Sequence, residues 1–293
     1  MHFPAHLFLP LASSLVYVAA VLLVKRSAAY GVGLWRTTFV SNVTMGVCFA
    51  PLWLLGGPGQ PVGAYWQPVL SGALFFLGQI FTFMALQRGD VSVATPVLGL
   101  KVVLVVFFSV SLLAGTVSLH VWLAAGLSTL GIALLSRGGR PAHHAAGRTI
   151  FQAAVAAASF AASDVLVQKW TPAWGVGRFL PLMFGVVMVL SAGFVPFFSA
   201  PLRLVPRAAW PWLLGGAVAL AVQAANMAVT LGVFGDATTV NIVYASRGLW
   251  SVLAVWLVGH WFRNEEGGLD AAILRSRLMG AGLMLAAIAL AVT

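Results

Sequence analysis

The sequence predicts an all-α polytopic membrane protein whose ten transmembrane helices form two inverted five-helix repeats. Three observations predict it. The 293 residues are 61% hydrophobic and only 8% charged, where a soluble domain carries roughly 25% charged residues to keep its surface wet. Apolar runs of the roughly 20 residues needed to cross about 30 Å of hydrocarbon recur ten times along the chain. The second half of the sequence also repeats the first in order, which is the mark of a duplicated architecture.

The first run, near 5–24, begins within the opening MHFPAHLFLP. That opening lacks the Lys/Arg n-region of a cleaved signal peptide, so the run is read as a retained helix. The second, 31–55, ends at Gly56-Gly57-Pro58-Gly59-Gln60-Pro61, a strong turn signal. Runs at 66–87, 91–114 and 118–136 complete the first half, closed by Arg137-Gly138-Gly139-Arg140-Pro141. The sixth and seventh, 149–169 and 178–199, precede a break from Ser199 to Pro206. The last three lie near 210–233, 236–258 and 272–292. None alternates in the manner of a transmembrane β-strand, and in lipid an unpaired backbone leaves only the helix. Residues 1–140 form the first repeat, 141–148 a short linker and 149–293 the second repeat.

The repeat is read from matched positions. Val21-Leu22-Leu23-Val24-Lys25 aligns with Val165-Leu166-Val167-Gln168-Lys169 at an offset of 144. The same offset matches Gly31-Val32-Gly33 to Gly175-Val176-Gly177, Gly72-Ala73 to Gly216-Ala217 and Gln79 to Gln223. A two-residue insertion then pairs Gly89-Asp90 with Gly235-Asp236 and Lys101 with Arg247. Ala125-Gly126-Leu127 and Ile132-Ala133-Leu134 recur as Ala281-Gly282-Leu283 and Ile288-Ala289-Leu290. Five crossings per half put the second copy into the membrane upside down. Inverted repeats place a binding site near the midplane and expose it alternately to each side as the halves rock, so the architecture argues for secondary transport of a small molecule.

Composition excludes several other classes. The formal charge of +10 sits mostly in short stretches between apolar runs, as topogenic charge does; nucleic-acid binding needs a water-exposed basic face. The single cysteine, Cys48, has no disulfide partner, no Cys/His cluster points to a metal, and no cofactor motif occurs. His143-His144 reads as solvated linker. An intramembrane enzyme needs a nucleophile with its base, a metal set or paired carboxylates. Asp164 has no acidic neighbour on any helix, and neither H-E-x-x-H nor G-x-S-x-G is present. The chain is therefore read as no enzyme. A channel's repeated selectivity element is likewise not visible.

The segment Arg88-Gly89-Asp90-Val91-Ser92-Val93-Ala94-Thr95-Pro96 and the glycine-bearing fifth and tenth helices resemble the drug/metabolite transporter superfamily, EamA type. The resemblance covers essentially the whole chain and implies a ten-helix, five-plus-five transporter. One departure is clear. A Leu-Gly-Glu near the ends of the fourth and ninth helices is common in that family; here those places read Leu113-Ala114-Gly115 and Val258-Gly259-His260.

An ionisable group at mid-depth is costly unless paired or hydrated, so it is a functional candidate by default. Lys101 and Arg247 lie about eleven residues into the fourth and ninth helices, at matched positions, and are expected to face one shared cavity. Asp164 in the sixth helix is the one clear acidic group of the membrane interior, either a counter-ion or a proton carrier. The alternative for all three is a structural salt bridge. Gln79 and Thr82 share a face of the third helix and map onto Gln223 and Asn226 of the eighth, with Thr230 one turn beyond. They line a cavity or glue helices together. Tyr244, Arg247 and Ser251 form one face of the ninth helix; Ser13, Ser14 and Tyr17 give the first a polar face. The expected substrate contacts are thus Lys101, Arg247, Gln79, Gln223, Asn226, Tyr244 and Tyr17. Tryptophans near helix ends, such as Trp66 and Trp210, suit interfacial belts without a substrate.

Two cations against one carboxylate favour a small organic anion. Repeat-related Lys and Arg also resemble the arrangement in phosphate-carrying members of the superfamily. Export of drugs, amino acids or other neutral or cationic metabolites stays open, with both cations locked to Asp164. Expected partners are the substrate, a coupling proton or exchanged metabolite, and the bilayer, with the chain a monomer or homodimer. The loops after odd-numbered helices hold eleven basic residues, Lys25, Arg26, Arg88, Arg137, Arg140, Arg148, Arg203, Arg207, Arg263, Arg275 and Arg277; the other side holds Lys169 and Arg178. In a cytoplasmic (inner) membrane the positive-inside rule then puts both termini outside, whereas the resemblance implies cytoplasmic termini.

Overall fold

The structure, a computed structural model, describes residues 4–88, 91–113, 116–136, 146–258 and 271–292. Gly89-Asp90, Ala114-Gly115, the 137–141 turn, His143-His144 and Gly259-His260 lie outside the described residues. All regular structure among the described residues is helical. The first half contains α1 (Phe8–Ala28), α2 (Leu34–Phe49), α3 (Trp66–Arg88), α4 (Val91–Gly99), α5 (Lys101–Leu113) and α6 (Leu119–Leu135). The second contains α7 (Ala146–Trp174), α8 (Val176–Leu190), α9 (Trp210–Phe234), α10 (Ala237–Ala245), α11 (Arg247–Val258) and α12 (Ala271–Val292). Eight helical stretches among the described residues are long and apolar enough to cross a membrane. The expected fifth crossing is the shorter apolar helix α6, 17 residues or about 26 Å at 1.5 Å per residue.

Two expected helices are interrupted. The run at 91–114 divides into α4 and α5 around Leu100, and the run at 236–258 divides into α10 and α11 around Ser246. At each break the chain tightens from α-helical to i→i+3 bonding: the Leu100 N–H donates to the Val97 carbonyl at 3.0 Å, and the Ser246 N–H to the Val243 carbonyl at 3.1 Å. Pro96 removes one donor from α4. The Ser246 hydroxyl donates to Ser14 Oγ of α1 at 3.0 Å and accepts from Trp250 Nε1, one turn on in α11, at 3.2 Å. The residue after each break is a cation, Lys101 or Arg247.

Matched positions share backbone geometry elsewhere too. Gly31 (φ +76°) and Gly175 (φ +72°) both adopt the left-handed region ahead of α2 and α8, where a side chain is strained. A tight helical turn extends each of those helices, over Ala50–Leu55 and Ser191–Phe197. The helices pack in pairs: α1 along α9, α3 along α7, and α6 along α12. Small residues permit this closeness. A Cβ on Gly131 of α6 would stand 2.9 Å from the Gly280 carbonyl of α12, and one on Gly280 would stand 2.7 Å from the Gly131 carbonyl. Backbones in contact are how membrane helices gain packing energy where lipid offers no hydrophobic drive.

Candidate functional site

The two breaks aim Lys101 and Arg247 at different neighbours. Lys101 begins α5 and reaches α7, where its Nζ lies 2.8 Å from Asp164 Oδ2; both side chains are 16% exposed. One turn before Asp164 on the same face of α7, the Phe160 ring lies 5.9 Å from that ammonium. The ring rests on α3 at Gly78, where an added Cβ would come within 2.9 Å of three of its carbons. The ammonium thus has a carboxylate and an aromatic ring on two sides, the arrangement that makes a mid-membrane lysine tolerable.

Arg247 begins α11, half-buried, and no described carboxylate lies within ion-pair distance of it. Its guanidinium carbon sits 4.9 Å from the Tyr17 ring of α1 and 4.7 Å from the Tyr244 ring of α10. Those rings meet edge to face, centroids 6.2 Å apart. A guanidinium over an aromatic face gains about 2 kcal/mol when desolvated, so the two rings compensate part of its burial. Tyr244 is oriented in turn: its hydroxyl donates to Gln223 Oε1 of α9 at 2.8 Å. The Gln223 backbone carbonyl accepts from Ser13 Oγ at 3.2 Å, which pins α1 to α9. Asp164 remains within electrostatic reach of both Arg247 and Tyr244.

Arg247, Tyr17, Tyr244 and Gln223 therefore form one cluster, and Lys101 with Asp164 a second beside it. The other expected contacts lie differently. Gln79 is engaged by Asn42 of α2 in a reciprocal amide pair, Nδ2 to Oε1 at 3.0 Å and Nε2 to Oδ1 at 2.9 Å. Asn226 is half-buried, and its backbone carbonyl takes the Thr230 hydroxyl at 2.6 Å. Ser251 bonds back to the Arg247 carbonyl at 2.8 Å. Sequence reasoning missed Asn42 and Phe160. Asn42 was findable as an amide inside an apolar run, and Phe160 as the i−4 neighbour of Asp164. A buried cation outside both clusters, Arg36, was also passed over.

A cavity of about 380 Å³ lies toward the C-terminal end of α5, away from the two cations. Ser109, Thr116, Gln168, Asp236, Thr238 and Thr239 are among its lining. Asp236 caps α10 there from the left-handed region (φ +51°), its Oδ1 accepting from the Thr239 N–H at 3.1 Å and the Thr238 hydroxyl at 2.7 Å. Among the described residues no group of three or more His, Cys, Asp or Glu is placed to hold a metal.

Residues 5–137 match the sequence model of the EamA-like transporter family. No curated protein matches the chain. A solved structure bearing only the words "Crystal structure of protein" is 17% identical, with 96% of each chain covered and a TM-score of 0.69. At that identity the likeness is one of fold.

Proposed function

Residues 5–137 match the EamA-like transporter family, and on that likeness we propose that the chain is a membrane transporter that moves a small organic monoanion, bound at Arg247, by alternating access between two inverted five-helix repeats. The observation that carries the anion is the division of charge. Asp164 is committed to Lys101 at 2.8 Å, and Arg247 has aromatic faces where a counter-ion would otherwise be. Two cations and one carboxylate leave one positive charge, which one negative charge on a substrate neutralises. A guanidinium grips a carboxylate or phosphate through two parallel hydrogen bonds. Tyr17, Tyr244 and Gln223 line the approach, with Asn226 one helical turn from Gln223; Gln79 acts through Asn42, holding α2 to α3. Asp164 serves as counter-ion and, if protonated, releases Lys101 as a second cation.

The repeat is supported by the matched breaks before Lys101 and Arg247, by the paired left-handed glycines, and by the pairing of α1 with α9 and of α3 with α7. Under the proposed symmetry these last two pairs are exchanged. Residues 1–140 and 149–293 are the two moving units, joined by 141–148. Eleven basic residues on the odd-numbered loops support a cytoplasmic position for those loops in the inner membrane, with the termini outside.

The test is flux in proteoliposomes offered monocarboxylates, dicarboxylates, amines and neutral solutes. Monoanions should exchange, and Arg247→Gln should abolish the exchange while leaving the melting temperature within a degree or two of wild type. Transport of amines or neutral solutes by both proteins, with no anion moved by either, would discard the anion site and leave the exporter alternative.

A further inference from the structure

The transport site leaves one buried cation unused. Arg36, in the first turn of α2, is 5% exposed, and its Nε has no hydrogen-bond partner. Its Nη2 donates to the Gly31 carbonyl at 2.7 Å and to Ser199 Oγ at 3.2 Å. The guanidinium therefore folds back over the start of its own helix and ties it to the segment after α8. No acidic residue stands in the first turn of α2, and its Gly33 N-cap supplies no side-chain acceptor. The early N–H groups of the helix and a buried guanidinium converge there, and no described carboxylate pairs with that guanidinium.

The surroundings say what kind of anion. The segment after α8 runs through short helical turns, Leu202–Leu204 and Arg207–Ala209, set off by Pro201 and Pro206. Arg203 and Arg207 are exposed on it, and the same stretch of chain carries Phe197 at 62% and Leu204 at 63% exposure. On the facing side, Arg26 lies over the Tyr30 ring at 6.0 Å and the Trp212 ring at 5.8 Å. Tyr30, Leu202, Val205 and Trp210 pack in one apolar cluster that joins the two segments. Exposed apolar side chains between exposed cations, at the depth of tyrosine and tryptophan, suit the boundary between headgroups and acyl chains. A soluble anion would find no use for Phe197 and Leu204. Asp164 and Asp236, the two described carboxylates, make no ion pair with Arg26, Arg36, Arg203 or Arg207.

We propose that the seam between the α1–α2 turn and the 199–207 segment binds the phosphate of an anionic phospholipid, with Arg36 at its floor and Arg203 and Arg207 at its rim. The lipid is a structural ligand, separate from the transported solute. It holds the two segments together and neutralises charge that no carboxylate of the described chain reaches.

The test uses the full-length protein, delipidated in a zwitterionic detergent, and its melting temperature with phosphatidylglycerol, phosphatidylcholine or inorganic phosphate added. Phosphatidylglycerol should raise the midpoint by about 5 °C, and the other two should leave it unchanged. Arg203→Gln/Arg207→Gln, a surface change that threatens no core, should reduce the shift by half or more. Arg36→Gln should remove it. An equal shift with phosphatidylcholine would overturn the headgroup preference, and an equal shift with inorganic phosphate would make the seam a free-anion site instead. A full phosphatidylglycerol shift in the double variant would overturn the proposal even if Arg36→Gln failed to fold.

Discussion

Lys101 and Arg247 occupy matched positions in the sequence, yet the protein treats them differently. Lys101 is an ion-paired residue, and removing one partner strands the other's charge in a poorly solvated place. Lys101→Met should cost about 2–4 kcal/mol, less than a fully buried pair because both side chains keep some exposure. The double variant Lys101→Met/Asp164→Leu should recover most of that loss, which thermal denaturation of the three proteins measures. A double variant no more stable than the single one would mean that the pair carries no such penalty. Arg247 should respond in the opposite way. Arg247→Lys keeps the charge but loses the planar fork and its stacking on two rings, so anion affinity should fall roughly tenfold to a hundredfold with stability little changed. Equal affinity in the lysine variant would remove the bidentate grip from the account. Tyr244→Phe retains the ring and deletes the hydroxyl with its bond to Gln223 and its contact with Arg247; a loss of about 1 kcal/mol is expected.

At the scale of elements, the interruptions before Lys101 and Arg247 and the close contact of α6 with α12 are the features that matter. Each interruption makes a cation the first residue of a helix, so its aim depends on the joint as well as on helix phase. The α6–α12 contact is backbone against backbone. A leucine at position 280 would drive Cβ to 2.7 Å from the Gly131 carbonyl and 2.9 Å from the Leu135 nitrogen, and main-chain atoms cannot swing aside. Gly280→Leu should therefore destabilise by about 2–4 kcal/mol or prevent assembly. Gly282→Leu, two residues on with nothing within 4 Å of an added Cβ, should be tolerated. Detergent-solubilised yield and melting temperature compare the two; similar behaviour would show that the glycine contact is not what sets the spacing.

At the scale of the whole molecule, the proposed transport cycle needs the two repeats to move against each other, and the α1–α9 seam joins one to the other. Leu23 and Gly215 face across that seam, Leu23 Cδ1 lying 3.7 Å from a Cβ built on Gly215. With Cys48 replaced by serine, oxidation of a Leu23→Cys/Gly215→Cys pair should cross-link the halves and stop flux, and reduction should restore it. Undiminished flux in the cross-linked protein would exclude movement at this seam. Orientation belongs to the same scale. A reporter active only in the cytoplasm, fused after Thr293, should stay silent if the charge count governs; a signal would favour the cytoplasmic termini that the family resemblance implies.

Hydropathy is a local property, so the sequence by itself was enough to establish a helical membrane protein. Twenty apolar residues in a row need lipid whatever their neighbours do, and a backbone in lipid needs a helix. It also isolated Lys101, Asp164, Arg247, Tyr17, Tyr244 and Gln223, because polar groups in apolar runs stand out without coordinates. Which of them meet could not be read the same way. Pairing depends on the depth and rotation of separate helices, and several rotations leave the one-dimensional pattern unchanged. Only the packed structure gave Asp164 to Lys101 and set Arg247 between two tyrosines. It also engaged Gln79 with Asn42, an amide no spacing rule connects to it across two helices. The breaks at Leu100 and Ser246 were hidden for a related reason. Ser246 is held in part by Ser14 of α1, and the share of a joint that a neighbouring helix fixes leaves no mark in its own run of residues.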